Sequence, residues 1–111
     1  MAFWVCPGYN ANIKFLASPL LFGMLSLKQI RYFLAVAESG SFSVAASGLF
    51  VAQPALSRQI AQMETALGFS LFVREARGVR LTPAGALFRE RVSAVEEGLG
   101  QAAEDARRLD R

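Results

Sequence analysis

The sequence predicts a mainly α fold: three helices and a two-stranded β-hairpin, followed by one long helix. Three observations carry that prediction. Apolar residues recur at spacings of three and four between residues 27 and 67, and two of these stripes stop at a glycine, Gly40 and Gly68. Two short β-prone runs, 71–73 and 79–81, flank a connection that ends in Gly78. From Phe88 onward, Val92, Val95, Leu99, Ala102, Ala106 and Leu109 follow one another in steps of four and three, a heptad seam.

The chain has 111 residues, which bounds it to one small domain plus a helix or a tail. Residues 1–23, rich in apolar side chains and broken by Pro7, Gly8, Pro19 and Gly23, keep neither a helical nor an alternating period. Their apolar run, 15–25, is about half the ~20 residues of a membrane span, so no membrane association is expected. One lysine ahead of that run and no small-x-small site make a poor signal peptide. The expectation is a disordered extension outside the fold, with Met24 as the functional start.

Ser26 is placed to cap a first helix over 27–38, whose stripe is Leu27, Ile30, Phe33, Leu34 and Ala37. Ser41 or Ser43 caps a short second helix over 44–49, in which Ala45 and Ala46 allow a neighbouring helix to approach. Pro54 suits the first turn of a third helix that runs to Leu67, because a proline there gives up no needed N–H. Leu56, Ile60, Met63 and Leu67 form its buried face, and Gln53, Ser57, Arg58, Ala61 and Gln62 project elsewhere. Phe33, Phe42, Leu49 and Phe72 join these as core. The hairpin tip is expected to hold two arginines, Arg74 and Arg77, with Gly78 as the turn glycine. Thr82 and Pro83 then start a helix that reaches Leu109, about 40 Å at ~1.5 Å per residue. A single apolar seam of that length cannot be covered by so small a domain and needs a partner. Gly85, Gly98 and Gly100 weaken this helix.

Composition narrows the chemistry. There is no histidine, so the usual general base and the commonest metal ligand are absent, and the one cysteine, Cys6, supports neither an internal disulfide nor a cysteine zinc site. No catalytic constellation, metal site or cofactor is expected, and the cysteine usage suits a cytoplasmic protein. The chain carries a net charge of +3. Residues 28–91 hold eight basic and four acidic side chains, and residues 92–111 three basic and five acidic ones. The basic excess therefore sits in the middle of the chain, and a modest excess of this kind fits nucleic acid or an anionic surface.

Helix, short helix, turn, helix and hairpin is the order of a winged helix-turn-helix. Residues 24–110 resemble the DNA-binding region of LysR-type transcriptional regulators. The likeness is carried by Arg31-Tyr32-Phe33, Gly40-Ser41-Phe42, Ala45-Ala46, the run from Gln53 to Ile60, Glu64, Leu67-Gly68, Leu71-Phe72, Arg74, Arg77 and the run from Leu81 to Gly85. A similar winged helix also occurs in the molybdate-responsive ModE regulators. The resemblance implies a bacterial, sequence-specific binder of double-stranded DNA that acts in transcription regulation, and it divides the chain into the extension over 1–23, a DNA-binding domain over 24–82 and a linker or dimerisation helix over 83–111.

The resemblance also implies roles. Gln53 reads adenine through its amide, Pro54 touches a thymine methyl, and Ser57 and Arg58 contact bases or phosphates. Arg77 enters the flanking minor groove. Arg74 is a structural or phosphate partner, and Lys28 and Arg31 are at most phosphate contacts. The seam of Phe88, Val92, Val95, Leu99, Ala102, Ala106 and Leu109 would form a homodimer that reads an interrupted inverted repeat. Ala52 stands where Ser or Thr is frequent, and Gly48 and Phe50 where polar residues are more usual. The effector-binding domain of such regulators would follow beyond the last residue, so no small-molecule effector site is expected in this chain. The alternative is a dimerisation module that pairs with full-length regulators without itself binding DNA.

Overall fold

The computed structural model describes residues 25–111, and the expectations for residues 1–23 and for Met24 lie outside the described residues. Helix α1 spans Leu27–Ser39. The Ser26 hydroxyl accepts the Gln29 N–H, and the Gln29 side chain accepts the Ser26 N–H, so two of the donors left open at a helix start are paired. Gly40, at φ 69°, ends the helix with its N–H on the Val36 carbonyl.

The buried face of α1 differs from the expected stripe. Gln29, Phe33 and Val36 are buried, while Leu27 is 55% exposed. The reason is polar: the Gln29 amide donates to Gln59 Oε1 at 3.0 Å, so its burial leaves no unpaired group, and Leu27 in the first turn is left facing outward.

Helix α2 spans Phe42–Leu49 and starts two residues earlier than expected, because Ser41 rather than Ser43 is the cap, accepting the Val44 N–H at 3.1 Å. Phe42 thereby enters the core together with Ala45 and Ala46. Helix α3 spans Gln53–Leu67, with Pro54 in its first turn and Gly68, at φ 86°, as its stop. Leu56, Ile60 and Met63 are buried as expected, whereas Leu67 and Leu49 lie half-buried at the core margin.

Strands β1, Phe72–Glu75, and β2, Gly78–Leu81, pair antiparallel with Phe72 opposite Leu81 and Glu75 opposite Gly78. The hairpin is tighter than expected. Ala76 and Arg77 alone make the turn, and Arg74 belongs to a strand. Leu71 precedes the strand and is fully buried. Phe72 is half-buried; its ring lies 5.4 Å from that of Phe33 and 5.9 Å from that of Phe42, so the hairpin is packed on α1 and α2. Val79 N–H donates to the Gly40 carbonyl at 3.0 Å, and a Cβ at Gly78 would lie 2.4 Å from that same oxygen.

Helix α4 spans Pro83–Asp110. The Thr82 hydroxyl accepts the Gly85 N–H at 2.9 Å and donates to the Ser70 carbonyl at 2.7 Å. Phe88 reaches the core through Phe33, ring centres 5.3 Å apart, and Val92 is buried. The elements together make a winged helix-turn-helix, α2 and α3 being the helix pair and β1–β2 the wing, with α4 continuing away from it.

Two glycines on helices separate helix propensity from packing. A Cβ at Gly85 would lie 2.2 Å from the Leu71 carbonyl oxygen, whereas a Cβ at Gly48 meets nothing within 4 Å. Gly48→Ala is expected to raise stability by up to about 1 kcal/mol through propensity. Gly85→Ala makes the same propensity gain but forces backbone apart, with an expected net loss of about 1–3 kcal/mol. Urea denaturation midpoints of the two variants check this, and equal shifts would contradict it.

Candidate nucleic-acid interface

The periodicity of α3 splits the helix into two faces. Leu56, Ile60 and Met63 point into the core. Gln53, Pro54, Arg58, Ala61 and Gln62 are exposed, with Ser57 half-buried between the faces. Gln53 and Ser57 lie one turn apart, as do Pro54 and Arg58. No side chain caps α3 at Ala52, so its first-turn N–H groups point outward without a side-chain acceptor. A helix N-terminus with open donors beside an amide and a guanidinium is suited to an anionic, hydrogen-bonding surface.

The wing adds two arginines by different routes. Arg77 lies in the two-residue turn and is exposed. Arg74 is not at the tip. Its guanidinium carbon sits 4.4 Å from the centre of the Phe42 ring, and the residue borders a shallow groove with Ser57, Ala61, Glu64 and Phe72. The fold therefore brings Arg74 to the edge of α3, which spacing along the chain did not foretell. Arg80, also on the wing, is engaged by Glu75 at 2.7 Å.

Lys28 and Arg31 fall elsewhere. Both border a second groove with Leu27, Tyr32 and Leu49, none of them on α3 or the wing. The Lys28 ammonium lies 5.6 Å from the centre of the Tyr32 ring, and Arg31 pairs with Glu96 of α4 at 3.8 Å. The Arg31–Glu96 pair is exposed and contributes little to stability.

The α4 seam divides in the same manner. Phe88 and Val92 are taken up by the domain's own core. Val95 is 58% and Leu99 51% exposed, and Ala102, Ala106 and Leu109 are exposed beyond them. Leu87, not part of the expected seam, is also exposed and borders an apolar hollow with Phe69, Ala84, Phe88 and Arg91. The last turns of α4 are held by local pairs, Glu104 with Arg107 and Asp105 with Arg108. Arg108, and after it Gln101, holds the Asp105 carboxyl below its ordinary range.

Sequence reasoning assigned no role to Gln29, Glu64 or Phe50. The Ser26-x-x-Gln29 pattern was a readable capping signal for the first. Glu64 accepts the Leu71 N–H at 2.7 Å and the Phe72 N–H at 3.3 Å. Phe50 ends α2 in the left-handed region, φ 60°, while 94% exposed. That backbone is unusual for a bulky residue, and no local sequence signal announces it.

A three-helix core, a polar-faced second helix of the pair and an arginine-tipped hairpin define the chain structurally as a winged helix-turn-helix domain. The family model described as bacterial regulatory helix-turn-helix protein, lysR family, matches residues 27–86, more than half of the chain. The chain belongs to the LysR family. It is 52% identical over 66 residues to the HTH-type transcriptional regulator TfdS of Cupriavidus pinatubonensis (strain JMP 134 / LMG 1197), a match covering 60% of this chain and 22% of that protein. It is 39% identical over 83 residues to TcbR of Pseudomonas sp. (strain P51), covering 75% of this chain and 28% of that regulator. The chain thus spans about a quarter of the length of these curated relatives. Among solved structures it resembles the CbnR DNA-binding domain in complex with DNA, at 38% identity and a TM-score of 0.74, over 78% of this chain and all of that one. The BenM DNA-binding domain bound to benA site 1 DNA gives 39% identity and a TM-score of 0.74, over 77% of this chain and 96% of that one. No helix among the described residues is long and apolar enough to cross a membrane.

Proposed function

We propose that this chain binds double-stranded DNA in a sequence-specific manner and acts in transcription regulation in the bacterial cytoplasm, without catalytic chemistry or a cofactor. The observation that carries the reading is the division of α3, which buries Leu56, Ile60 and Met63, exposes Pro54 and Arg58 on the opposite side, and leaves Gln53 exposed at its N-terminal end. The CbnR and BenM domains solved on DNA support it. A purely dimerising role is disfavoured, because it leaves that polar face and the exposed wing arginine without a use.

In this reading α3 enters the major groove. Gln53 presents its amide to adenine, Pro54 its ring to a thymine methyl, and Arg58 its guanidinium to guanine or phosphate, with Ser57 beside them. Arg77 inserts into the flanking minor groove, and Arg74, stacked on Phe42, meets a phosphate near the edge of α3. Lys28 and Arg31 serve at most as outer phosphate contacts, and Arg31 must leave Glu96 to do so. The DNA-binding domain is residues 24–82, and residues 83–111 link and pair two copies.

Pairing uses the part of α4 that the core leaves uncovered: Val95, Leu99, Ala102, Ala106 and Leu109, extended by Leu87 at the near end. Phe88 and Val92 support the helix from beneath. A two-fold dimer of this kind reads an interrupted inverted repeat, since its two α3 helices enter major grooves separated by whole turns of the duplex.

Binding sites selected by the chain from a random duplex pool test the reading. Log affinity is expected to fall with log salt by roughly 0.9 per neutralised phosphate. Arg77→Ala is expected to weaken sites with A·T-rich flanks most, because a narrow groove rewards an inserted arginine. Equal loss on G·C-rich flanks would reassign Arg77 to a general phosphate contact.

Pairing has its own check. Val95→Asp with Leu99→Asp is expected to give monomers in sedimentation. Those monomers should lose most of their affinity for the two-half-site duplex while a single half-site is bound as before, because one module buries too little surface for tight binding. A dimeric double variant would place the interface elsewhere.

A further inference from the structure

The wing must leave α3 in a fixed direction if α3 and Arg77 are to reach adjoining grooves together. Only a short connection, residues 68–71, separates the two elements. Glu64 stands in the last turn of α3, two turns after Ser57, and borders the same groove as Ser57 and Arg74. One carboxylate oxygen, Oε2, accepts the Leu71 N–H at 2.7 Å and the Phe72 N–H at 3.3 Å. Its backbone carbonyl accepts the Gly68 N–H at 2.8 Å. One residue therefore ties both ends of the connection. Leu71 is fully buried, so its N–H needs a partner on the protein. Bonds from N–H groups to a charged acceptor are roughly twice as strong as neutral ones. Phe72, the second donor, is the first residue of β1, and Arg74 follows two residues later on the same side of the strand.

We propose that Glu64 is a positioning residue for DNA recognition: it fixes the root of the wing on α3 and thereby sets where Arg74 and Arg77 stand relative to Gln53 and Arg58. The inference rests on the reading of Arg77 as a minor-groove contact, but its structural half stands independently. A carboxylate is not required for geometry alone, since a glutamine oxygen at the same place also accepts two N–H groups. Glu64→Gln should therefore keep the wing in place, and Glu64→Ala should release it while α3 stays folded through Leu56, Ile60 and Met63.

The experiment uses the full chain in three forms, wild type, Glu64→Ala and Glu64→Gln, with two readouts. Amide hydrogen exchange is followed at Leu71, Phe72 and Val79 and, as the internal reference, at Ile60 and Met63. Affinity is measured for one selected site carrying either A·T-rich or G·C-rich flanks. Glu64→Ala is expected to speed exchange at the three wing amides and leave the α3 amides unchanged. It should also lose about tenfold in affinity on the A·T-flanked site, the size of one misplaced base-edge contact, and much less on the G·C-flanked one. Glu64→Gln is expected to restore both readouts. Unchanged exchange at the wing in Glu64→Ala, an equal rise at Ile60 and Met63, or no rescue by Gln overturns the proposal. Faster wing exchange with an undiminished flank preference also overturns it, because the wing would then be read correctly without its anchor. A wild type with no flank preference at all defeats the Arg77 reading instead, and the exchange data then decide whether Glu64 holds the wing.

Discussion

The peptide groups of Leu71 hold the three working parts of this domain together. Its side chain is fully buried. Its N–H is donated to Glu64 of α3, and its carbonyl accepts the Thr82 N–H at 3.0 Å at the start of α4. The Thr82 hydroxyl lies 3.4 Å from the same oxygen, and Gly85 lacks the Cβ that would collide with it. Buried backbone groups left unpaired are costly, so these bonds act as constraints on where the elements lie. Helix α3, the wing and the root of α4 are consequently referred to a single residue. A second tie, from Val79 N–H to the Gly40 carbonyl, prevents the far strand from swinging about that point.

This geometry explains how so small a chain divides its apolar surface. Phe33 of α1, fully buried in the core, is met by two half-buried rings, Phe72 of the wing at a tilt and Phe88 of α4 edge-on. Phe88 and Val92 are consumed in anchoring α4, and from Val95 onward the same seam is exposed among the described residues. Burial of the anchor and exposure of the continuation follow from one heptad pattern that outruns the domain. In the proposed dimer the anchored stretch transmits the orientation of one copy to the other, because α4 and α3 cannot rotate independently around Leu71.

Much of this was legible in the sequence where the physics is local. Ser26, Ser41 and Thr82 as caps, Gly40 and Gly68 as stops, the buried face of α3 and the seam of α4 each follow from contacts within a few residues of the chain. What escaped depends on partners far along it. Gln29 is buried because Gln59 satisfies it, which inverted the expected face of α1 near Leu27. Arg74 left the expected hairpin tip because the turn takes only Ala76 and Arg77, which puts Arg74 in β1 with its guanidinium over Phe42. Glu64 belonged to the motif that carried the family resemblance, but a carboxylate on a helix gives no local hint that it will accept two N–H groups seven and eight residues away. The exposed polar residues of α3 were readable; their distance from the wing was not, since tertiary hydrogen bonds to Glu64 fix the root of the wing.

In the proposed complex α3 and the wing act as a rigid pair that reads adjoining major and minor grooves, twice over, in a dimer. Dimethyl sulfate protection tests it most directly, since the reagent methylates guanine N7 in the major groove and adenine N3 in the minor. On a selected two-half-site duplex, the expected result is two patches of guanine protection related by a two-fold axis, each flanked on its outer side by adenine protection. Protection of guanines alone, a single unpaired patch, or uniform weak protection along the duplex would contradict it.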